Sequence, residues 1–355
     1  MSAKVYIILI VLSFICLLCW SGTRRTQTNY GIPGMNVNNY MITHSPHDVH
    51  TDFMKQDKKA VLANPLTTRN VVIFERSNGI FSYNNSLWTF TNDSACMRKK
   101  NFVLGHLRHK KHKKKTPIYL HPPDNDIHIS RVLLNGGSWE DNNLLKSVEA
   151  MSQNPDAIFI DIGAHVGVYS LTLASLGYKV IAIDCFKDNI ERLCASAKLG
   201  NLSKNMYIIH NALSDRKETV VVRESSPSNI GGNTIVQKSS WNVNNSETVI
   251  GALETIQAIR LDDLLEVIDI KSAVLKLDVE GSEHTVLKGA ENFFRSVNVH
   301  FVMMEFHTHK SRDSGKFILD FMNEHGFQPI LPTGVSLTNQ NQWPWDVQWS
   351  KRKKK

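Results

Sequence analysis

Phe159-Ile160-Asp161-Ile162-Gly163-Ala164-His165-Val166-Gly167-Val168-Tyr169 is the stretch on which the fold turns. An apolar run, Ala157 to Ile160, ends in the acid Asp161. Two glycines follow, Gly163 and Gly167, then apolar residues at helical spacing: Val168, Leu171, Leu173 and Ala174. These signals predict strand, tight turn and helix, the first βα unit of a doubly wound sheet. Glycine at a bend lets backbone approach a ligand closely, and the helix start offers unpaired N–H groups.

A dinucleotide fingerprint reads G-x-G-x-x-G, with its acid ~20 residues further on. Here the pattern is D-x-G-x-x-x-G, and a second acid, Asp184, closes the next apolar run, Val180 to Ile183. The combination resembles the S-adenosylmethionine (SAM) methyltransferase loop. That resemblance implies that the first loop holds the amino-acid moiety and the second acid holds the ribose hydroxyls. Any βαβ turn with two glycines is the plainer alternative at this point.

The βα rhythm continues. A helix is expected over Glu140 to Met151, ahead of the first strand, and another over Asp188 to Leu199, after the second. Strands follow at Met206–His210, Val274–Leu277 and Val299–Phe306, with a β excursion at 219–237 and a short helix at Leu261–Val267. Phe317 to His325 reads as a helix, and Phe327–Leu331 with Asp346–Trp349 as an antiparallel edge.

The second decisive stretch is Lys276-Leu277-Asp278-Val279-Glu280-Gly281-Ser282-Glu283, continuing to Leu287-Lys288-Gly289-Ala290. Carboxylates at the carboxyl end of a parallel strand face the ligand crevice. This stretch resembles the D-V-E-G-x-E-x-x-x-L-x-G-A signature of FkbM-type SAM-dependent methyltransferases. The resemblance extends to residues 161–171, to Asn211-Ala212-Leu213-Ser214-Asp215 and to Leu261-Asp262-Asp263-Leu264-Leu265. One departure stands out: where the family's second strand ends in Glu-Pro, this chain has Asp184-Cys185-Phe186.

The resemblance implies an α/β fold of the class I methyltransferase (Rossmann-like) type, with a seven-stranded sheet in the order 3-2-1-4-5-7-6. It implies SAM as cofactor and transfer to a hydroxyl of a glycan or sugar-like acceptor. On it, Asp161, Gly163, Gly167, Asp184, Asn211 and Ala212 are the cofactor-binding candidates. Asp278, Glu280 and His307 are the catalytic candidates, as general base or acceptor-orienting groups. His284 and His309 are further candidate bases. No dedicated metal-ligand spacing exists; a divalent ion on Asp278 and Glu305 is the alternative. Trp343, Trp345 and Trp349 alternate as if on one strand face, for core packing or sugar stacking.

The bulk numbers set the frame. A chain of 355 residues with 42% hydrophobic content holds a real core and is not globally disordered. The net charge of +8 concentrates in Arg108–Lys115 and the tail 351–355. The first run lacks the interleaved aromatics of a nucleic-acid site, so an acidic polysaccharide is its expected partner, with a solvated loop as the plainer reading. Five cysteines, two of them in the first apolar segment, give neither a disulfide framework nor a zinc spacing. Cys185 and Cys194 read as core cysteines.

Val5 to Trp20 carries no charge and would span roughly 24 Å as a helix. A signal anchor over 1–22 is the reading, with a cleaved signal peptide as alternative. Residues 23–115 read as stem and basic linker with short strands, 116–350 as the methyltransferase domain with its core at 140–335, and 351–355 as a basic tail. The expected setting is a single-pass membrane protein of the Golgi or endoplasmic reticulum with a lumenal catalytic domain. Asn84, Asn92, Asn201 and Asn244 are glycosylation sequons, a number that chance alone supplies in so Asn-rich a chain. A glycan-binding pseudoenzyme and an NAD-dependent Rossmann oxidoreductase are the competing functions.

Overall fold

The computed structural model describes residues 60–61, 79–109, 112–237 and 252–352, with 60–61, 109 and 112–114 described in their backbone alone. All belong to the compact unit Asp57–Lys355. The expected anchor over 5–20, Asn244 and the last three lysines lie outside the described residues. Among the described residues no helix is long and apolar enough to cross a membrane.

The first strands are β1 (Ala60–Val61), β2 (Gly79–Asn84), β3 (Leu87–Asn92), β4 (Val103–His109) and β5 (His112–Leu120), followed by α1 (Ser130–Leu134) and α2 (Asp141–Gln153). The alternating units come next: β6 (Ile158–Ile162), α3 (Val168–Ser175), β7 (Val180–Asp184), α4 (Lys187–Leu199) and β8 (Met206–His210). An excursion holds β9 (Ala212–Leu213), β10 (Glu218–Arg223), β11 (Thr234–Gln237) and β12 (Ala252–Ile259). The chain then runs through β13 (Ser272–Leu277), α5 (Glu283–Lys288), α6 (Glu291–Ser296), β14 (Asn298–Glu305), α7 (Asp313–Glu324), β15 (Phe327–Ile330) and β16 (Asp346–Lys351).

The main sheet has the order β1-β3-β2-β8-β7-β6-β13-β14-β16-β15. Its segment from β8 to β15 is the expected 3-2-1-4-5-7-6 order, parallel except for β16. The expectation of seven strands needs correction: the sheet has ten. β2 pairs parallel with β8, Ile80 opposite Ile208, and its hairpin with β3 extends that edge. The short strands expected within 23–115 thus include two that join the main sheet.

Burial on both faces explains the near-continuous apolar strands β6, β7 and β13. One face, with Ile160, Ile183 and Leu277, packs under α5, α6 and α7. The other, with Phe159, Ala182 and Val274, packs under α2, α3 and α4. The β4–β5 hairpin lies on α4, where Tyr119 N–H donates to Ser196 Oγ at 2.7 Å and Arg192 sits 4.5 Å over the Phe102 ring. Cys194 of α4 is bonded to Cys96, 98 residues earlier. Cys194 is therefore a core residue and a disulfide partner, and the reading without disulfides is corrected: a separation this long leaves no local spacing to recognise. The short helix expected at Leu261–Val267 is a 3-10 helix over Leu261–Glu266, with the Asp263 carboxylate accepting from the Arg260 N–H at 2.9 Å.

Candidate active site

The carboxyl ends of β6, β7, β13 and β14 open into one cavity of about 810 Å³. Its roof joins two segments: Ile127 N–H donates to Ser228 O at 3.1 Å and Ile230 N–H to Asn125 O at 3.2 Å. At the loop after β6, a Cβ on Gly163 would stand 1.7 Å from the Asp278 carbonyl oxygen, and its φ is +81°. Glycine there lets the loops after β6 and β13 abut. Gly167 serves packing instead, since a Cβ would meet Leu193 at 2.2 Å.

Asp161 does not reach the cavity wall. It is 1% exposed, and its Oδ2 accepts from the Ser170 N–H (3.1 Å) and hydroxyl (2.6 Å), capping the first turn of α3. Burial pushes its pKa up to about 6, against the opposing Lys276 charge. Asp184 does line the cavity, but its carboxylate accepts three protein donors: His165 N–H (2.8 Å), Phe186 N–H (2.8 Å) and Asn189 Nδ2 (3.2 Å). The Asn211 side chain is committed to the Tyr83 and Gln257 backbone, tying in the added hairpin. Asn211 and Ala212 both line the cavity. Of the expected cofactor residues, the wall thus holds Gly163, Asp184, Asn211 and Ala212, while Asp161 and Gly167 act from behind it.

The other end is walled by carboxylates: Glu140, Asp278, Glu280, Glu305 and Asp346. Burial, reinforced by the Asp278 and Glu283 charges, pushes Glu280 up to about 7. Burial and its acidic neighbours push Glu305 to about 9. Burial and Glu140 push Asp346 to about 6. Glu280 holds a left-handed φ of +54°, in a turn braced by Glu283, whose Oε1 accepts from Val279 N–H (2.8 Å) and Gly281 N–H (3.3 Å). The Glu283 Oε2 pairs with His309 Nε2 at 2.6 Å. Oxygens of Asp278, Glu283 and Glu305 lie within 4.8 Å of one another, which brings together the Asp278 and Glu305 of the metal alternative and adds Glu283. Glu283 is already spent on three partners, so this grouping alone does not make a metal centre.

His307 lines the cavity, its Nδ1 3.1 Å from Glu305 Oε1, and it stacks on Trp345 at 4.2 Å and 11°. Burial lowers the His307 pKa. His284 and His309 do not line the cavity; they meet each other edge to face. The tryptophan alternation fails because residues 343–345 precede β16. Trp343 and Trp349 are core, whereas Trp345 is 66% exposed at the cavity.

Two functional side chains escaped the sequence reading. Lys276 sits opposite Asp161 across β13 and β6, with Nζ 2.9 Å from Asp278 Oδ2, 3.9 Å from Asp161 Oδ1 and 5.1 Å over the Tyr169 ring. Burial opposes its charge, yet Asp278, Asp161 and Glu140 hold its pKa well above the ordinary value. A lone lysine in the apolar run Ala273–Leu277 was the available signal. The second is His165, buried in the wall with both ring nitrogens unpartnered; it stands at one of the unspecified positions of the D-x-G-x-x-x-G pattern.

A methyltransferase FkbM domain is found at residues 161–329. The match covers both Gly-containing turns and every catalytic candidate. No curated protein matches the chain. Among solved structures, WbdD is similar at 15% identity and a TM-score of 0.32, over 59% of this chain and 39% of its own. The chain therefore spans about two fifths of WbdD. A putative methyltransferase from Streptococcus mutans, SMU.1697c, in complex with SAH, is 13% identical over 55% of this chain and 89% of its own, with a TM-score of 0.32. A human methyltransferase 10 domain containing protein is 11% identical over 60% and 84%, with a TM-score of 0.33.

Such a domain implies SAM as methyl donor, and the residues present fit it. The buried His165 nitrogens are orphaned, Gly163 keeps the loop bare, and Phe186, Ala212, Leu213 and Ile235 give an apolar slot for a base. The carboxylate end suits a positively charged sulfonium.

Proposed function

We propose that this chain is a SAM-dependent O-methyltransferase acting on a hydroxyl of a glycan or sugar-like acceptor in the secretory pathway. The observation that carries this reading is a single cavity joining the 163–165 loop and Asp184 to Glu280, whose pKa is pushed up to about 7. When bound, SAM supplies an electrophilic methyl group on a sulfonium. Ala164, His165, Asp184 and the Phe186–Ile235 slot would hold it. Glu280 takes the acceptor hydroxyl's proton, as a base matched to neutral pH does. Asp278, fixed by Lys276, orients the hydroxyl. The Trp345–His307 stack seats a sugar face.

Two features support the compartment. The Cys96–Cys194 disulfide belongs to an oxidising setting. Asn84, Asn92 and Asn201 are exposed, as glycan acceptors must be. The uncharged segment 5–20 is the proposed membrane anchor, and the basic run 108–115 the proposed contact for acidic polysaccharide.

The test uses full-length protein: S-adenosylhomocysteine (SAH) binding by calorimetry, then transfer of labelled methyl from SAM to neutral oligosaccharides. Binding and transfer, with transfer lost in Glu280→Gln, is expected; a folded protein that binds no SAH overturns the reading. Protease protection in intact microsomes with endoglycosidase sensitivity at Asn84 or Asn92 tests the compartment, and full protease access without glycans overturns it.

A further inference from the structure

The acid that closes β7 is nearly out of hydrogen-bonding capacity. A carboxylate offers about four lone-pair positions. Asp184 has given three of them to His165 N–H, Phe186 N–H and Asn189 Nδ2. A ribose diol presents two hydroxyls, each a donor and an acceptor, and one remaining position cannot serve both. The neighbouring amides cannot make up the deficit. Asn189 Oδ1 pairs with His121 Nε2 at 2.7 Å, and the Asn211 side chain is engaged by Tyr83 and Gln257.

His165 has what is missing. It is 9% exposed and lines the cavity, with neither Nδ1 nor Nε2 partnered. Its own N–H is bonded to the Asp184 carboxylate at 2.8 Å, so the loop that carries the ring is held beside that acid. Burial lowers its pKa, which keeps the ring neutral, with one N–H donor and one nitrogen acceptor. A hydroxyl matches that pair. Across the roof stands Gly231, where even a Cβ would lie 3.6 Å from His165 Nε2, so no side chain covers the ring from there.

We propose that His165 is the second ribose ligand, a specificity-determining side chain that holds one hydroxyl of the nucleoside 2′,3′-diol while Asp184 holds the other. This rests on the SAM reading above. It assigns to the Gly loop a side-chain role in nucleoside recognition besides its backbone one.

Calorimetry on full-length protein tests it, with SAH, 2′-deoxy-SAH and 3′-deoxy-SAH as probes. The variant His165→Gly removes the ring and keeps the backbone, since φ is +50° there and glycine accepts it freely. Wild type should lose about 3–10-fold in affinity when the hydroxyl held by His165 is deleted. His165→Gly should bind SAH weaker by a similar factor and be indifferent, within about 2-fold, to that same deletion. Loss of the other hydroxyl should cost both proteins equally. His165→Asn, which also tolerates the left-handed backbone and keeps a donor and an acceptor, should recover part of the affinity. Equal penalties for both deletions in wild type and His165→Gly, or SAH affinity unchanged in that variant, overturn the proposal. Should the glycine variant not fold, the asparagine variant decides by whether its penalty for that hydroxyl is reduced. Wild type that binds no SAH would instead overturn the methyltransferase reading.

Discussion

The two ends of the cavity use carboxylates in opposite ways. At the proposed nucleoside end, Asp184 accepts from three N–H donors and braces the loops around it. At the proposed acceptor end, Glu280, Glu305 and Asp346 crowd together, with Lys276 as the one lysine or arginine on the cavity wall among the described residues, and their pKa values rise. A satisfied carboxylate is a structural part; an unsatisfied one near neutral pKa is a proton acceptor in waiting. Carboxylates lining one cavity are thus divided between architecture and chemistry by their donors.

Kinetics breaks this comparison most directly. Glu280→Gln should lower kcat by about 10²–10⁴-fold and leave SAH affinity within a few-fold. Wild-type turnover should rise with pH through about 7 as Glu280 loses its proton, and the variant should lose that limb. A large fall in SAH affinity would merge the two ends into one.

Lys276 is the hinge between them, since it faces Asp161 on one side and Asp278 on the other. Removing one partner from a buried charge group costs about 3–5 kcal/mol. Lys276→Met should therefore show such a loss in urea melts at pH 8, and a smaller one at pH 5, where Asp161 is protonated. Next in size is Gly163→Ala. Its Cβ would collide with the Asp278 carbonyl in a left-handed conformation, and about 2 kcal/mol of stability should go with SAH binding.

The acceptor end also sets a pH slope. Glu305 titrates near 4.5 when unfolded and about 9 when folded. Between those values the folded state holds a proton that the unfolded chain has released. Stability from this group is thus highest below about 4.5 and falls as pH rises toward 9, and Glu305→Gln should flatten the decline in Tm. Smallest is Trp345→Ala: about 1 kcal/mol in acceptor binding, read as an up to ~6-fold rise in acceptor KM, with SAM KM unmoved and stability within about 0.5 kcal/mol.

Much of the fold was legible because its evidence is local. Apolar runs ending in Asp161, Asp184 and Asp278, with glycines beyond two of them, marked the strands, and the core strand order came with the family resemblance they carry. The β2–β3 extension was read only as short strands within 23–115, because its partner β8 lies far along the chain and no residue type names it. Cys96 and Cys194 were hidden for the same reason. Within the site, residue identities were readable and their hydrogen-bond accounts were not. Asp161 and Asp184 look equally free in the sequence, and Ser170, Phe186 and Asn189 engage them only after folding. Glu283, the second glutamate of the D-V-E-G-x-E stretch, is the brace of the Glu280 turn.

The Cys96–Cys194 bond closes residues 97–193 into a covalent ring that contains the β4–β5 hairpin, both helices after it and the whole bend around Gly163. The basic run lies inside that ring, with Arg108 and Lys115 exposed near the hairpin's tip. A protease that cuts after lysine or arginine there would open the ring without releasing either piece. The nicked protein should migrate intact on a denaturing gel and fall into two fragments when a thiol is added.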